Sequence, residues 1–289
     1  MQRFAGIWVA LATPFHNDEL DLPALRSLVR RLASAGVAGL VVCGSTGEAA
    51  ALSEAEQLIV LDTVIETVPD CPVVMGLAGN NLRSVMARLH DMQKRPLAGI
   101  LAPPPYYIRP SQAGLATYFE TLADASDVPL LLYNIPYRTA VAIEFETFAR
   151  LAQHERIVGV KDCGGDQMLT MRLIAETGLQ VLTGEDSQLL SNLALGGAGG
   201  IMAAAHLRPD LFVEIFANMQ AGRMAEARAV FYRLLPLIRL LFAEPNPGPL
   251  KAALAITGEM HNDVRSPMQS ASGALTERLG AVLHALDIA

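Results

Sequence analysis

Lys161 ends the short β-branched run Ile157, Val158, Gly159, Val160 inside ERIVGVKDCGGDQ, where a charge is out of place if that run is a buried strand. Burial disfavours the ammonium form of a lysine, and the neutral amine is a nucleophile. With a ketone it forms an imine, whose protonated form is an electron sink that acidifies the neighbouring carbon. The carbinolamine steps need a proton shuttle, for which Tyr133 in YNIPYRT, one strand and helix earlier, is the candidate. A 2-keto acid also needs its carboxylate held. GSTGE offers Ser45 and Thr46 between glycines, where backbone amides can approach an anion. Two further segments carry functional side chains: PPPYYIRP, with Tyr106 and Tyr107, and YNIPYRT again, with Arg138. Each has an ordinary explanation alone, as a turn, a packing residue or, for Lys161 beside Asp162, an ion pair.

The residues act together only if the chain brings them to one rim. Short apolar runs alternate with amphipathic stretches about every thirty residues, the size of one βα unit. Strands are expected at 6–14, 38–44, 72–78, 98–104, 129–136, 157–163, 180–186 and 199–205. Between them lie helical patterns such as 22–36, where Leu25, Leu28, Val29 and Leu32 form one stripe. Ser53 with Glu56 reads as a capping box, Pro23 and Pro209 as first-turn prolines, and Gly36 and Gly178 as helix ends. Eight such units point to a (β/α)₈ TIM barrel over residues 1–220, with a C-terminal three-helix extension over 221–289 at about 222–242, 248–259 and 271–287. A doubly wound open sheet would bring a glycine-rich phosphate turn after its first strand, and ATPFHNDELD stands there instead. GGAGG at 196–200 precedes its strand and lacks the dinucleotide spacing, so it reads as a tight turn. In a barrel the chemistry sits at the C-terminal strand ends, and GSTGE, PYY, YNIPYRT and Lys161 all fall there.

Composition narrows the partners. The chain has 289 residues, 52% hydrophobic and 18% charged, with a formal net charge of −7 and no dense basic run, which argues against a nucleic-acid surface. No apolar segment reaches membrane-spanning length, and MQRFAGIWVALATPF fits a first strand better than a secretory leader, so a cytoplasmic protein is expected. Three cysteines without CxxC spacing and six scattered histidines offer neither a disulfide framework nor a metal-ligand pair.

In order along the chain, GSTGE, PPYYIRPSQ, YNIPYRT, GVKD and EPNP (Glu244 to Pro247) resemble the dihydrodipicolinate synthase and N-acetylneuraminate lyase family of class I aldolases. The resemblance implies a (β/α)₈ barrel with a helical extension, assembled as a homotetramer of tight dimers. Pyruvate would be bound as a Schiff base on Lys161, without cofactor or metal. It further implies that Tyr133 is the general acid/base and that Thr46 with Ser45 binds the pyruvate carboxylate. Ser45 would also join Tyr133 and Tyr107 in a proton relay, Tyr107 being contributed across the dimer interface. Gly184 and the backbone of Ile201 would belong to the substrate site, and Arg138 would hold the carboxylate of the second substrate. An arginine at that place is typical of the synthase branch, which condenses pyruvate with L-aspartate semialdehyde. The alternatives are an aldolase or lyase for a sugar-derived 2-keto acid and a barrel that binds a keto acid without turnover. Departures from the family pattern are Ser45 for the commoner threonine, the bulky Tyr137 before Arg138, and KDCGG where KEATG is common. Glu54, Gln57 and Ser84 stand where lysine-inhibited members carry histidines and a glutamate, so feedback by lysine is not expected.

Overall fold

The computed structural model describes residues 4–288; residues 1–3 and 289, the outer ends of the two expected segments, lie outside the described residues. Eight barrel strands are present among them: β1 (Gly6–Ala10), β2 (Gly39–Val42), β3 (Val73–Gly76), β4 (Gly99–Ala102), β5 (Leu130–Asn134), β6 (Ile157–Asp162), β7 (Gln180–Thr183) and β8 (Gly199–Met202). They form a closed barrel in the order β1, β8, β7, β6, β5, β4, β3, β2, which is the expected TIM architecture. Most strands stop two to four residues before the expected end, because the chain turns there into the βα loops. The described chain parts into two compact units. One joins Pro72–Ile201 to the described part of Met1–Ala5, and the other holds Gly6–Cys71 with the described part of Met202–Ala289.

The first unit carries β3 to β7 and all but the last residue of β8, with helices α3 (Leu82–Met92), α4 (Gln112–Asp124), α5 (Pro136–Thr139), α6 (Phe145–Leu151), α7 (Gln167–Glu176) and α8 (Leu189–Ala194). Its strands are apolar along nearly their whole length because both faces are covered, as parallel strands require. Inside the unit Ile100, Leu132, Val160 and Leu182 are fully buried, and Leu115, Phe119, Phe148 and Leu173 bury the inner stripes of the helices. Each such side chain contributes roughly 1.5–3 kcal/mol by leaving water. The pairing of β5 with β6 slips between Leu130 and Leu131 and then sets Tyr133 opposite Lys161 and Asn134 opposite Asp162. At Gly178 the expected helix end is not glycine's doing. Helix α7 stops at Thr177 in extended backbone, and the Thr177 hydroxyl donates to the Leu173 carbonyl at 2.6 Å.

The second unit holds β1, β2 and helices α1 (Leu22–Ser34), α2 (Glu54–Thr67), α9 (Pro209–Gln220), α10 (Met224–Leu241), α11 (Gly248–Ile256) and α12 (Gly273–Ala285). The stripe Leu25, Leu28, Val29, Leu32 is buried as its spacing requires, Asp21 caps α1, and Gly36 takes the left-handed conformation that ends it. The Ser53–Glu56 capping box is formed on α2. The stretch after β1 holds a hairpin that the apolar pattern does not announce, pairing Phe15–His16 with Glu19–Leu20. Asn17 and Asp18 both take positive φ there (51° and 69°), the backbone of a two-residue hairpin turn. Helix α10 packs against both α9 and α12, and α11 packs against α12. Among the described residues no helix is long and apolar enough to cross a membrane.

Candidate active site

In the first unit Lys161 is the last inward-facing residue of β6, only 6% exposed. Burial pulls its pKa below the ordinary lysine value; Cys163, Asp186 and Glu185 act against that shift, and Arg138 acts with it. Its Nζ lies 4.5 Å from the centre of the Tyr133 ring, as the pairing of β5 with β6 dictates. Tyr133 is equally buried, at 6%. Gly184, just beyond β7, leaves room for the lysine. A Cβ there would stand 2.5 Å from Lys161 Cε, 3.0 Å from its Cγ and 2.3 Å from Cys163 Sγ, so any larger residue must push these side chains aside.

Strand alternation turns the next residue outward, which answers the simple reading of an ion pair with Asp162. The Asp162 carboxylate accepts from Asn134 Nδ2 and Gly164 N, both at 2.9 Å, and from the Thr170 hydroxyl at 2.9 Å. Asn134 in turn accepts from Ile143 N at 3.2 Å, and its carbonyl accepts from Cys163 N at 2.8 Å. The residues directly after Tyr133 and Lys161 are therefore tied to each other on the outer face, which locks the register of the two inner side chains. Gly164 belongs to this knot, since a Cβ would stand 2.7 Å from Asn134 Nδ2.

Helix α5 begins right after β5, with Pro136 pre-set for a first turn, and presents Tyr137 and Arg138 to solvent. The Tyr137 hydroxyl donates to Glu185 Oε1 at 3.1 Å, and the Arg138 guanidinium lies 5.8 Å from the Tyr137 ring centre. Ile201 on β8 is buried. Tyr107 is 87% exposed and held at a φ of 73°, a conformation that costs a non-glycine residue energy. It projects away from the protein's own packing.

In the second unit GSTGE forms a compact turn after β2. The amides of Gly47 and Ala49 donate to the Gly44 carbonyl at 3.1 and 3.4 Å, and Glu48 N donates to the Ser45 carbonyl at 3.2 Å. Those three amides are thus spent within the turn, and the expected hold on a carboxylate narrows to Ser45, which is exposed, and Thr46, which is buried. Thr46 Oγ1 accepts from Asn246 Nδ2 at 3.0 Å, the asparagine of EPNP. Gly47 fits because a Cβ would meet the Leu11 carbonyl at 2.9 Å. Glu48 is buried with a φ of 53°, and its carboxylate lies 2.5 Å from Lys251 Nζ and accepts from Arg265 N at 3.0 Å. Lys251 is 0% exposed, donates also to the Asp263 carbonyl at 2.8 Å and sits 4.1 Å over the Phe15 ring.

Sequence reasoning missed this second buried lysine although the signal was the same, a lysine in the apolar helix GPLKAALA. The two differ in what surrounds them. Lys251 meets a carboxylate and a carbonyl that consume its protons, whereas Lys161 faces a ring and a thiol. Cys163 and Glu185, beside Lys161, were also missed. Among the described residues no group of three His, Cys, Asp or Glu side chains could hold a metal ion.

Residues 3–286 match the model of the dihydrodipicolinate synthetase family. The chain is similar to the 4-hydroxy-tetrahydrodipicolinate synthase of Syntrophus aciditrophicus, 38% identical over 284 residues that cover 97% of this chain and 98% of that one. A solved dihydrodipicolinate synthase from Thermotoga maritima aligns over 100% of both chains with a TM-score of 0.96 at 32% identity. A structure described as the first monomeric dihydrodipicolinate synthase variant aligns over 99% of this chain and 98% of its own with a TM-score of 0.95 at 32% identity. By sequence over nearly its whole length and by fold, the chain belongs to the dihydrodipicolinate synthetase family.

Proposed function

We propose that the chain condenses pyruvate with L-aspartate semialdehyde to give 4-hydroxy-tetrahydrodipicolinate, the product for which its relatives are named. The observation that carries this is the buried Lys161 amine, depressed in pKa and facing Tyr133. The neutral amine adds to the pyruvate keto carbon, and loss of water from the carbinolamine leaves an imine on Lys161. Tyr133 carries the protons of these steps and of the tautomerisation of the imine to an enamine. The enamine carbon attacks the aldehyde, and cyclisation through the semialdehyde's amino group frees the lysine. In this reading Thr46 and Ser45 hold the pyruvate carboxylate, Gly184 and Ile201 shape its pocket, and Arg138 takes the carboxylate of the second substrate. Tyr107, exposed within its own chain, reaches the site of a neighbouring subunit in a homotetramer built from tight dimers. The described part of residues 1–220 is read as the catalytic barrel and that of 221–289 as the helical extension. No cofactor is needed, because the lysine itself supplies the electrophilic activation, and the cytoplasm is the proposed location.

Incubation with pyruvate and borohydride should leave a reduced pyruvyl adduct on the peptide that contains Lys161. No adduct there would sink this function. Arg138→Ala should then depress turnover of aspartate semialdehyde by about a hundredfold, as expected for the loss of a charged substrate contact, while leaving adduct formation intact. Equal turnover of a sugar aldehyde would move the chain to the lyase branch.

A further inference from the structure

Cys163 has no part in the chemistry above, yet strand alternation returns it to the inner face after Asp162 turns out. It is buried, and its Sγ crowds the same point beside Gly184 as Lys161 Cε, the two atoms lying 2.3 and 2.5 Å from where a Cβ would be. Its thiol shares a hydrogen bond with the Tyr133 side chain. Its backbone is fixed as well, since Cys163 N donates to the carbonyl of Asn134, the residue after Tyr133, at 2.8 Å. The thiol therefore packs beside the lysine whose amine lies 4.5 Å from the Tyr133 ring centre, in the immediate surroundings of the proton shuttle.

We propose that Cys163 is a positioning residue for Tyr133: its thiol holds the tyrosine hydroxyl beside the Lys161 amine and so sets the rate of proton transfer in the imine reaction proposed above, on which this inference rests. Burial pushes the Cys163 thiol up to about 12, so it stays protonated at neutral pH and acts as a neutral hydrogen-bonding group, neither base nor nucleophile.

The test is the rate at which pyruvate becomes trapped on Lys161 by borohydride, read by intact mass. Cys163→Ala should slow trapping about tenfold, within the range of a general acid/base contribution, and Cys163→Ser should restore it to within about threefold. In a Tyr133→Phe background Cys163→Ala should slow trapping no further, because its effect passes through the tyrosine hydroxyl. Thermal melts of each variant show that the folded protein is being compared. Unchanged trapping in Cys163→Ala, or the same slowing in both backgrounds, overturns the proposal. If Cys163→Ala fails to fold, the serine variant alone decides it, a loss larger than about threefold counting against. A parent protein that forms no adduct on Lys161 overturns both this role and the proposed function, whereas a normal parent with an indifferent Cys163 overturns only this role.

Discussion

Gly184→Ala is the sharpest perturbation the site offers, since it adds one methyl group at a point already claimed by two side chains. The new Cβ would stand 2.5 Å from Lys161 Cε and 2.3 Å from Cys163 Sγ, both well inside van der Waals contact. The sulfur can swing aside, but the lysine has less freedom, because its Cγ lies 3.0 Å from the same point and its backbone is locked in β6. Overpacking of this kind costs about 1–3 kcal/mol, which lowers the melting temperature by only a few degrees in a chain of this size. The chemical cost is larger. Shifting the amine by about 1 Å from its attack position slows the reaction on the order of a hundredfold. The assay is borohydride trapping of pyruvate at timed quench points, with the adduct counted by intact mass and folding followed by thermal melt. Cys163→Ala combined with Gly184→Ala should recover part of the melting temperature but little of the trapping rate, since the lysine carbons remain in the way. A Gly184→Ala protein that traps pyruvate within about threefold of the parent rate would refute the argument that this glycine exists to seat the lysine.

Two further outcomes follow from buried charge. Lys251→Met should destabilise the protein by about 3–5 kcal/mol in denaturant melts, because it leaves the Glu48 carboxylate buried without its cation; adding Glu48→Gln should return part of that loss, and full additivity of the two would contradict the pairing. His206 is fully buried, its Nδ1 set against the Ala203 carbonyl and its Nε2 accepting from Ala12 N, and burial lowers its pKa to about 4 from 6.5. The unfolded chain then binds the extra proton first, so stability rises with pH between those values, and about 3 kcal/mol is lost as pH falls from 6.5 to 4. Denaturant midpoints across that window should show the slope, and a His206→Gln protein with the same slope would show that other groups produce it.

Much of the architecture is readable along the chain because it depends on local pattern. The stripe of α1, the capping box of α2 and the eight apolar runs each need only neighbours within a few residues, and eight βα units leave few ways to close a sheet. The hairpin at Phe15–Leu20 escaped because its turn uses Asn17 and Asp18 without a glycine, and at the end of α7 a threonine hydroxyl, not the glycine that follows it, does the capping. Both are side-chain substitutions for a backbone signal.

The site divides the same way. By itself the sequence determined that a lysine closes a buried strand, that tyrosine and hydroxyl residues follow other strands at the same end, and hence which chemistry was open, since residue type and strand position set those. Only the tertiary structure decided that Asp162 turns outward into a knot with Asn134, Gly164 and Thr170 while Cys163 turns inward onto Tyr133, and that Lys251, the other lysine in an apolar segment, is spent on Glu48. Asn134 lies 28 positions from Asp162 and Lys251 lies 203 from Glu48, the inward turn of Cys163 depends on the face to which one residue points, and no local pattern encodes a distance across a fold.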